Sequence, residues 1–158
     1  MTPKAIGWLF SACVLTTGCG FGGEDPPSDP VARKIYDRQQ NFKEMGRDFK
    51  VIDDQLKERY PDFDVIQAAA LRMQELGSHL PEWFEEGTGP ESGFETDAKA
   101  EIWQDKGKFE SVYQEFTVEM DRLVASAGLA DKNAMVAQYH TAGVSCSNCH
   151  KPFRVEDD

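Results

Sequence analysis

Residues 131–154 read DKNAMVAQYHTAGVSCSNCHKPFR, and the architecture of the chain can be worked out from this segment. A helix is expected to start near Asp131. After it, apolar side chains recur at the three- and four-residue spacings of one helix face: Met135, Tyr139, Ala142, Cys146, Cys149 and Phe153. Such a helix must bury that face against other helices to be stable.

Three upstream segments have the same periodicity. The first begins at residue 30 and ends before residue 60, the second covers residues 62–79, and the third begins near residue 96 and is expected to end with Gly128 as its cap. An irregular loop is expected over residues 81–95, which are rich in glycine and proline. No segment alternates as a strand would. The chain is therefore predicted to be all-α, an antiparallel up-down-up-down four-helix bundle.

The pentapeptide Cys146-Ser147-Asn148-Cys149-His150 carries the chemistry. On a helix, residues three and four apart share a face, so both thiols and the imidazole project together. The C-x-x-C-H spacing is typical of covalent haem c attachment, with two thioether bonds and a histidine on the iron. A zinc site would need a further ligand pair, which the chain lacks. One covalent haem c is predicted, against the alternative of a helical bundle without haem.

The N-terminal residues predict export. Residues 1–18 combine one charge, Lys4, with a short apolar run, as a signal peptide does. Small residues precede Cys19, which suggests a lipoprotein signal with Cys19 lipidated; the alternative is an ordinary secretory signal with an incidental cysteine. Residues 19–30 then form a flexible linker. The expected location is the periplasm, with a lipid at Cys19 tethering the domain of residues 31–155 to a membrane.

The formal net charge of the 158-residue chain is −11. This acidity argues against binding to nucleic acid or, by charge, to anionic lipid. Membrane contact is expected only through the lipid anchor.

The haem motif lies at the end of the last helix, and an aromatic residue and an arginine, Phe153 and Arg154, follow it. In this the chain resembles cytochrome c′ and the other class II c-type cytochromes. The resemblance covers roughly residues 31–155. Other matching features are Arg38-Gln39, Leu80-Pro81 with Trp83-Phe84, and Ile102-Trp103 with Phe109.

The resemblance makes Phe42 the important residue of the first helix, because it stands four residues after Arg38. Relatives with methionine there are low-spin electron carriers. Relatives with leucine or phenylalanine there keep a five-coordinate, high-spin iron and bind NO or CO. Phe42 therefore implies a gas-binding protein, with electron transfer as a further role. The sequence offers no serine–histidine–acid or paired-carboxylate arrangement, so no enzymatic turnover is expected.

Met45, three residues further along the same helix, carries the alternative. Its thioether could be the sixth ligand, which would make the chain a six-coordinate one-electron carrier with an unknown redox partner. A methionine on an apolar stripe is, however, usually a packing residue.

The resemblance also implies two arginine roles. Arg38 is expected to pair with a haem propionate, or otherwise to be a solvated helix charge, and Arg154 to lie near His150. Pro152 is expected to end the last helix early and so to displace Arg154. Family members are often homodimers through the first two helices. The outward charges expected on the first helix neither support nor exclude this: Lys43, Glu44, Arg47 and Asp48.

Overall fold

The computed structural model describes residues 26–155. Over that range the chain forms five α-helices: α1 (Pro30–Lys57), α2 (Phe63–Ser78), α3 (Glu101–Gln104), α4 (Lys106–Gly128) and α5 (Lys132–Phe153). Two short 3₁₀ turns, Leu80–Trp83 and Pro90–Ser92, lie in the long connection between α2 and α3. The four long helices confirm the predicted all-α four-helix bundle.

Aspartates fix the start of each long helix. Asp29 accepts hydrogen bonds from the backbone of Val31 and Ala32 at 2.8 and 3.0 Å. Asp62, Asp105 and Asp131 cap α2, α4 and α5 in the same way. Each cap satisfies backbone donors that the first turn leaves unpaired, which explains why the chain enters each helix where it does.

The helices pack in a ring with one weak junction. α1 packs extensively against α2, α2 against α4 and α4 against α5, whereas α1 and α5 touch at few points. Each junction between two long helices is called a seam and is named after its helices, for example the α2–α4 seam and the α1–α5 seam. The core residues with the least exposure lie on α1, α2, α4 and α5: Ile52, Ile66, Ala69, Ala70, Met73, Met120, Leu123, Met135 and Ala142.

The α2–α4 seam is close-packed around Gly77. A Cβ on this glycine would lie 2.7 Å from Cε1 of Phe116, closer than real carbon atoms approach. The ring of Phe116 is itself only 5 % exposed. A larger residue here would therefore force the buried phenylalanine ring to shift, because the ring occupies the volume of a side chain.

Asp48 corrects the expectation of an outward charge on α1. Its side chain is buried and accepts hydrogen bonds from Nε of Arg72 on α2 at 3.1 and 3.2 Å. The aspartate faces α2 because a partly exposed arginine there can neutralise it. Glu44 and Arg47 are exposed, as expected, and pair with each other at 2.8 Å.

The third segment differs from the prediction at both ends. Residues 96–100 precede the short helix α3, and a break at Asp105 separates α3 from α4. The prediction that Gly128 caps this segment is wrong, since Gly128 is the last helical residue and Leu129 the cap. The left-handed conformation that often ends a helix falls on Ala130, with φ of 52°.

Pro152 does not end α5 early; the helix continues through Phe153. The reason is that the last turn of α5 makes tertiary contacts with the segment of residues 97–99. Phe153 is 3 % exposed, and its carbonyl accepts from the backbone N–H of Lys99 at 2.9 Å. The backbone N–H of Val155 donates to the backbone carbonyl of Asp97 at 2.8 Å. Ala98 and Arg154 thereby form an isolated antiparallel bridge. This clasp holds the last turn, which compensates for the donor that proline lacks.

Candidate haem-binding site

Cys146, Cys149 and His150 lie together in the last two turns of α5. Within residues 26–155 these two cysteines are free thiols, and both are half-buried. Burial raises the pKa of Cys146, and burial together with Cys146 raises the pKa of Cys149 to about 11. Both thiols are therefore protonated at neutral pH.

His150 projects toward solvent from the same turn. The surrounding chain still removes part of its hydration, and this desolvation, followed by the positive charge of Arg154, lowers the pKa of the imidazole. Its backbone carbonyl accepts from the N–H of Arg154 at 2.8 Å. A neutral imidazole retains the ring lone pair with which histidine binds metals.

Phe42 on α1 is half-buried within aromatic rings. It meets Trp83 edge-to-face, with ring centroids 5.2 Å apart, and Phe84 at 6.2 Å. Both partners come from the connection after α2. Met45 is more deeply buried, at 7 % exposure, and belongs to the hydrophobic core.

The aromatic contacts continue from Phe84 to α5. Phe84 meets Phe109 edge-to-face at 5.3 Å, and Phe109 meets Phe153 at 5.4 Å. Phe153 is three residues beyond His150 in the sequence. One continuous aromatic cluster therefore joins Phe42 to the helix turn that carries the haem motif.

Arg38 is not a solvated helix charge, because its side chain is buried. Its Nη1 donates to the carbonyl of Trp83 at 3.2 Å and to Oγ1 of Thr88 at 3.1 Å. Its Nη2 donates to the carbonyl of Thr88 at 3.1 Å and to Oγ1 of Thr96 at 2.9 Å. These four bonds match the four N–H groups that the two Nη atoms carry. The expected propionate contact stays a prediction, and Nε is the donor that these bonds leave for it.

Arg154 lies where α5 ends. Its Nε is 3.8 Å from Oδ2 of Asp97, and its backbone forms the clasp with Ala98. The clasp thus fixes the arginine backbone within one turn of His150, despite Pro152. Its role toward a ligand stays a prediction.

The α1–α5 seam is closed at one point by stacked rings. Phe49 lies on Tyr139 with centroids 4.2 Å apart and planes 17° from parallel. At Gly143, one turn before the haem motif, an added Cβ would lie 3.5 Å from Cζ of Phe49, which is an ordinary van der Waals contact. Phe49 and Tyr139 are both half-buried, so this seam is the most open junction between long helices in the described range.

The structure brings together several residues that the sequence did not single out. Thr88 and Thr96 are polar loop residues that no motif identifies, and their role becomes visible only through Arg38. Trp83 was recognised as a family feature, but its contact with Phe42 could not be read from the sequence. Cys19 lies outside the described residues. Among residues 26–155, no helix is both long and apolar enough to cross a bilayer.

The donor set fits a covalent haem c. Two free thiols on one helix face, an adjacent imidazole and a sparsely packed seam lined by aromatic rings are what a porphyrin bound through two thioethers requires. Bundles commonly place cofactors between facing helices. The fold and site together define a bundle-type c-type haem protein.

Comparison with known proteins gives the family. The family model described as Cytochrome C' matches residues 33–154, and the chain belongs to the cytochrome c′ family. It is similar to cytochrome c′ of Halomonas halodenitrificans, with 39 % identity over 55 % of this chain and 70 % of that protein. It is also similar to cytochrome c′ of Rhodospirillum rubrum, with 29 % identity over 82 % of this chain and 86 % of that protein.

A solved structure shows the same fold. The nitric oxide complex of a variant of cytochrome c prime from Alcaligenes xylosoxidans superposes with a TM-score of 0.71 and 26 % identity, covering 80 % of this chain and 97 % of that one. Membership in the family confirms the predicted covalent haem c.

Proposed function

We propose that this chain is a five-coordinate, high-spin cytochrome c′ that binds NO or CO and does not catalyse a turnover reaction. Cys146 and Cys149 would hold the haem through thioether bonds, and His150 would bind its iron. Haem iron, when bound, supplies the position at which a diatomic gas coordinates. The related Alcaligenes protein, whose structure is a nitric oxide complex, supports the assignment of the ligand class.

The observation that carries the proposal is the half-buried phenyl ring of Phe42, held among aromatic side chains. A phenyl ring has no lone pair to offer iron, so it can crowd a coordination position without filling it. Trp83 meets it edge-to-face and Phe84 lies beside it, so Phe42 is half-buried within the aromatic cluster. A strong ligand such as NO or CO can displace such a ring, whereas water cannot.

The absorption spectrum of the ferrous holoprotein tests this proposal. We expect a broad high-spin Soret band that sharpens and shifts when CO is added. Sharp low-spin bands that do not respond to CO would overturn it and would favour Met45 as sixth ligand, with one-electron transfer as the function.

A pair of variants locates the distal position. Phe42→Met should add a thioether and convert the spectrum toward the low-spin form. Phe49→Met, two turns further along α1, is the matched control and should leave the spectrum high-spin. If both variants, or neither, become low-spin, Phe42 is not the residue at the open position.

We further propose that the mature protein is periplasmic and tethered through a lipid at Cys19. This rests on the signal-like residues 1–18 and on the linker. Intact mass of the mature protein should show an acylated N-terminal cysteine, and Cys19→Ser should move the protein from the membrane fraction to the soluble fraction. A mature N-terminus elsewhere would contradict it. An electron partner and a homodimer remain expectations from the family resemblance.

A further inference from the structure

Trp83 is, beside Phe84, one of two residues through which the long α2–α3 connection reaches Phe42, and its ring is the nearer of the two. It ends the first 3₁₀ turn, and its ring stands at 86° to the ring of Phe42. Edge-to-face aromatic pairs are favourable by about 0.5–1.5 kcal/mol beyond their buried area. The Phe42 ring therefore cannot swing away without giving up this contact.

Arg38 fixes the backbone of Trp83 from the same helix that carries Phe42. It stands one turn before Phe42, and its Nη1 donates to the carbonyl of Trp83. The guanidinium also lies over the ring of Phe84, with Cζ 4.8 Å from the centroid. The position of Trp83 relative to Phe42 is thus set within a single turn of α1.

The buried charge makes this attachment costly to break. Desolvation lowers the pKa of Arg38 to about 10, which still leaves the guanidinium charged at neutral pH. A buried charge is tolerated when its hydrogen bonds are satisfied, and losing an acceptor leaves part of it unpaired. Trp103 adds a second attachment, because its indole N–H donates to the carbonyls of Phe84 and Glu85 at 3.0 and 3.2 Å.

We infer that Trp83, held by Arg38, is a positioning residue that sets how readily the Phe42 ring moves aside. The inference rests on the proposed function, because ring displacement matters only if a gas must enter there. It assigns Arg38 a role in addition to any contact with a propionate. The rate of ligand entry is then controlled partly by the α2–α3 connection and not by Phe42 alone.

Trp83→Ala and Trp103→Ala in the holoprotein form a matched pair. Both remove a tryptophan from the same aromatic cluster, but the contacts of Trp103 run to Phe84 and not to Phe42. We expect Trp83→Ala to raise the association rate of CO with the ferrous protein about tenfold, the factor that loss of one strong aromatic pair permits. Trp103→Ala removes a ring that the Arg38 guanidinium faces and the donor to Phe84 and Glu85, but no contact with Phe42, so it should raise the rate much less. Equal rates in the two variants would overturn the inference.

Two milder variants test the inference even if Trp83→Ala does not fold. Trp83→Leu keeps an apolar side chain and should raise the rate less than Trp83→Ala. Thr88→Val removes the hydroxyl that accepts from Arg38 at 3.1 Å, so it should raise the rate in the same direction. A normal CO rate in both would contradict the role of the Arg38 attachment.

A double-mutant cycle separates this inference from the proposed function. If the wild-type protein does not bind CO, the proposed function fails, and the coupling in thermal unfolding between Phe42→Ala and Trp83→Ala decides the inference. A coupling larger than that between Phe42→Ala and Trp103→Ala supports positioning. Couplings that are equal, or both zero, overturn it.

Discussion

The α2–α4 seam and the α1–α5 seam are built from similar apolar helices but differ in how they close. The first presses Phe116 against a glycine, with rings and methyl groups almost free of solvent. The second meets at few points, and its stacked rings, Phe49 and Tyr139, stay half-exposed. One junction is complete by itself, whereas the other, next to the haem motif, has an open groove lined by Phe49, Tyr139 and Gly143. In this bundle the α2–α4 seam thus supplies stability, whereas the α1–α5 seam serves the haem site.

Replacing the same residue type in both seams tests this separation. Phe116→Ala should lower the free energy of unfolding of the holoprotein by about 4 kcal/mol, because a fully buried phenylalanine leaves a cavity. Denaturant unfolding measures the loss. The Soret band should stay in place, since Phe116 is outside the aromatic cluster of Phe42. A shifted Soret band would show that the two seams are coupled.

Phe49→Ala should cost less, about 2 kcal/mol, because the ring is half-exposed and loses mainly its stack on Tyr139. The same denaturant unfolding experiment gives the comparison with Phe116→Ala. Equal losses for the two variants would show that the cofactor closes the α1–α5 seam as tightly as side chains close the other.

Gly77→Ala should lower the free energy of unfolding by about 1 kcal/mol, as overpacking against Phe116 outweighs the gain in helix propensity. Gly46 on α1 is the matched control, because nothing lies within 4 Å of its missing Cβ. Gly46→Ala should therefore stabilise the protein by about 0.5 kcal/mol. Two variants that both stabilise would mean that the α2–α4 seam is looser than its geometry indicates.

What could be read from the sequence is local. The haem motif occupies five consecutive residues, and its chemistry depends on spacing within one helix, so Cys146, Cys149 and His150 were predictable. The starts of three long helices, near residues 30, 62 and 131, were equally visible, because the signals that start a helix lie within a few residues of it. The fold followed, because four amphipathic stripes have few ways to bury one another.

What could not be read is held by contacts between distant segments. Arg38 is tied to Thr88 and Thr96, and no periodicity links an arginine to two threonines that lie 50 and 58 residues away. Asp48 reads as a surface charge until Arg72 is brought opposite it. Pro152 reads as a helix breaker until the clasp with residues 97–99 is seen to hold the turn.

That clasp also determines how the protein would respond to a pulling force. Its backbone bonds, from Lys99 to Phe153 and from Val155 to Asp97, join the C-terminal tail to the segment before α3. Tension applied at the tail therefore loads these bonds before it reaches the last turn of α5. Under tension the tail would therefore detach first, and the helix that carries the covalently bound cofactor would be strained only afterwards.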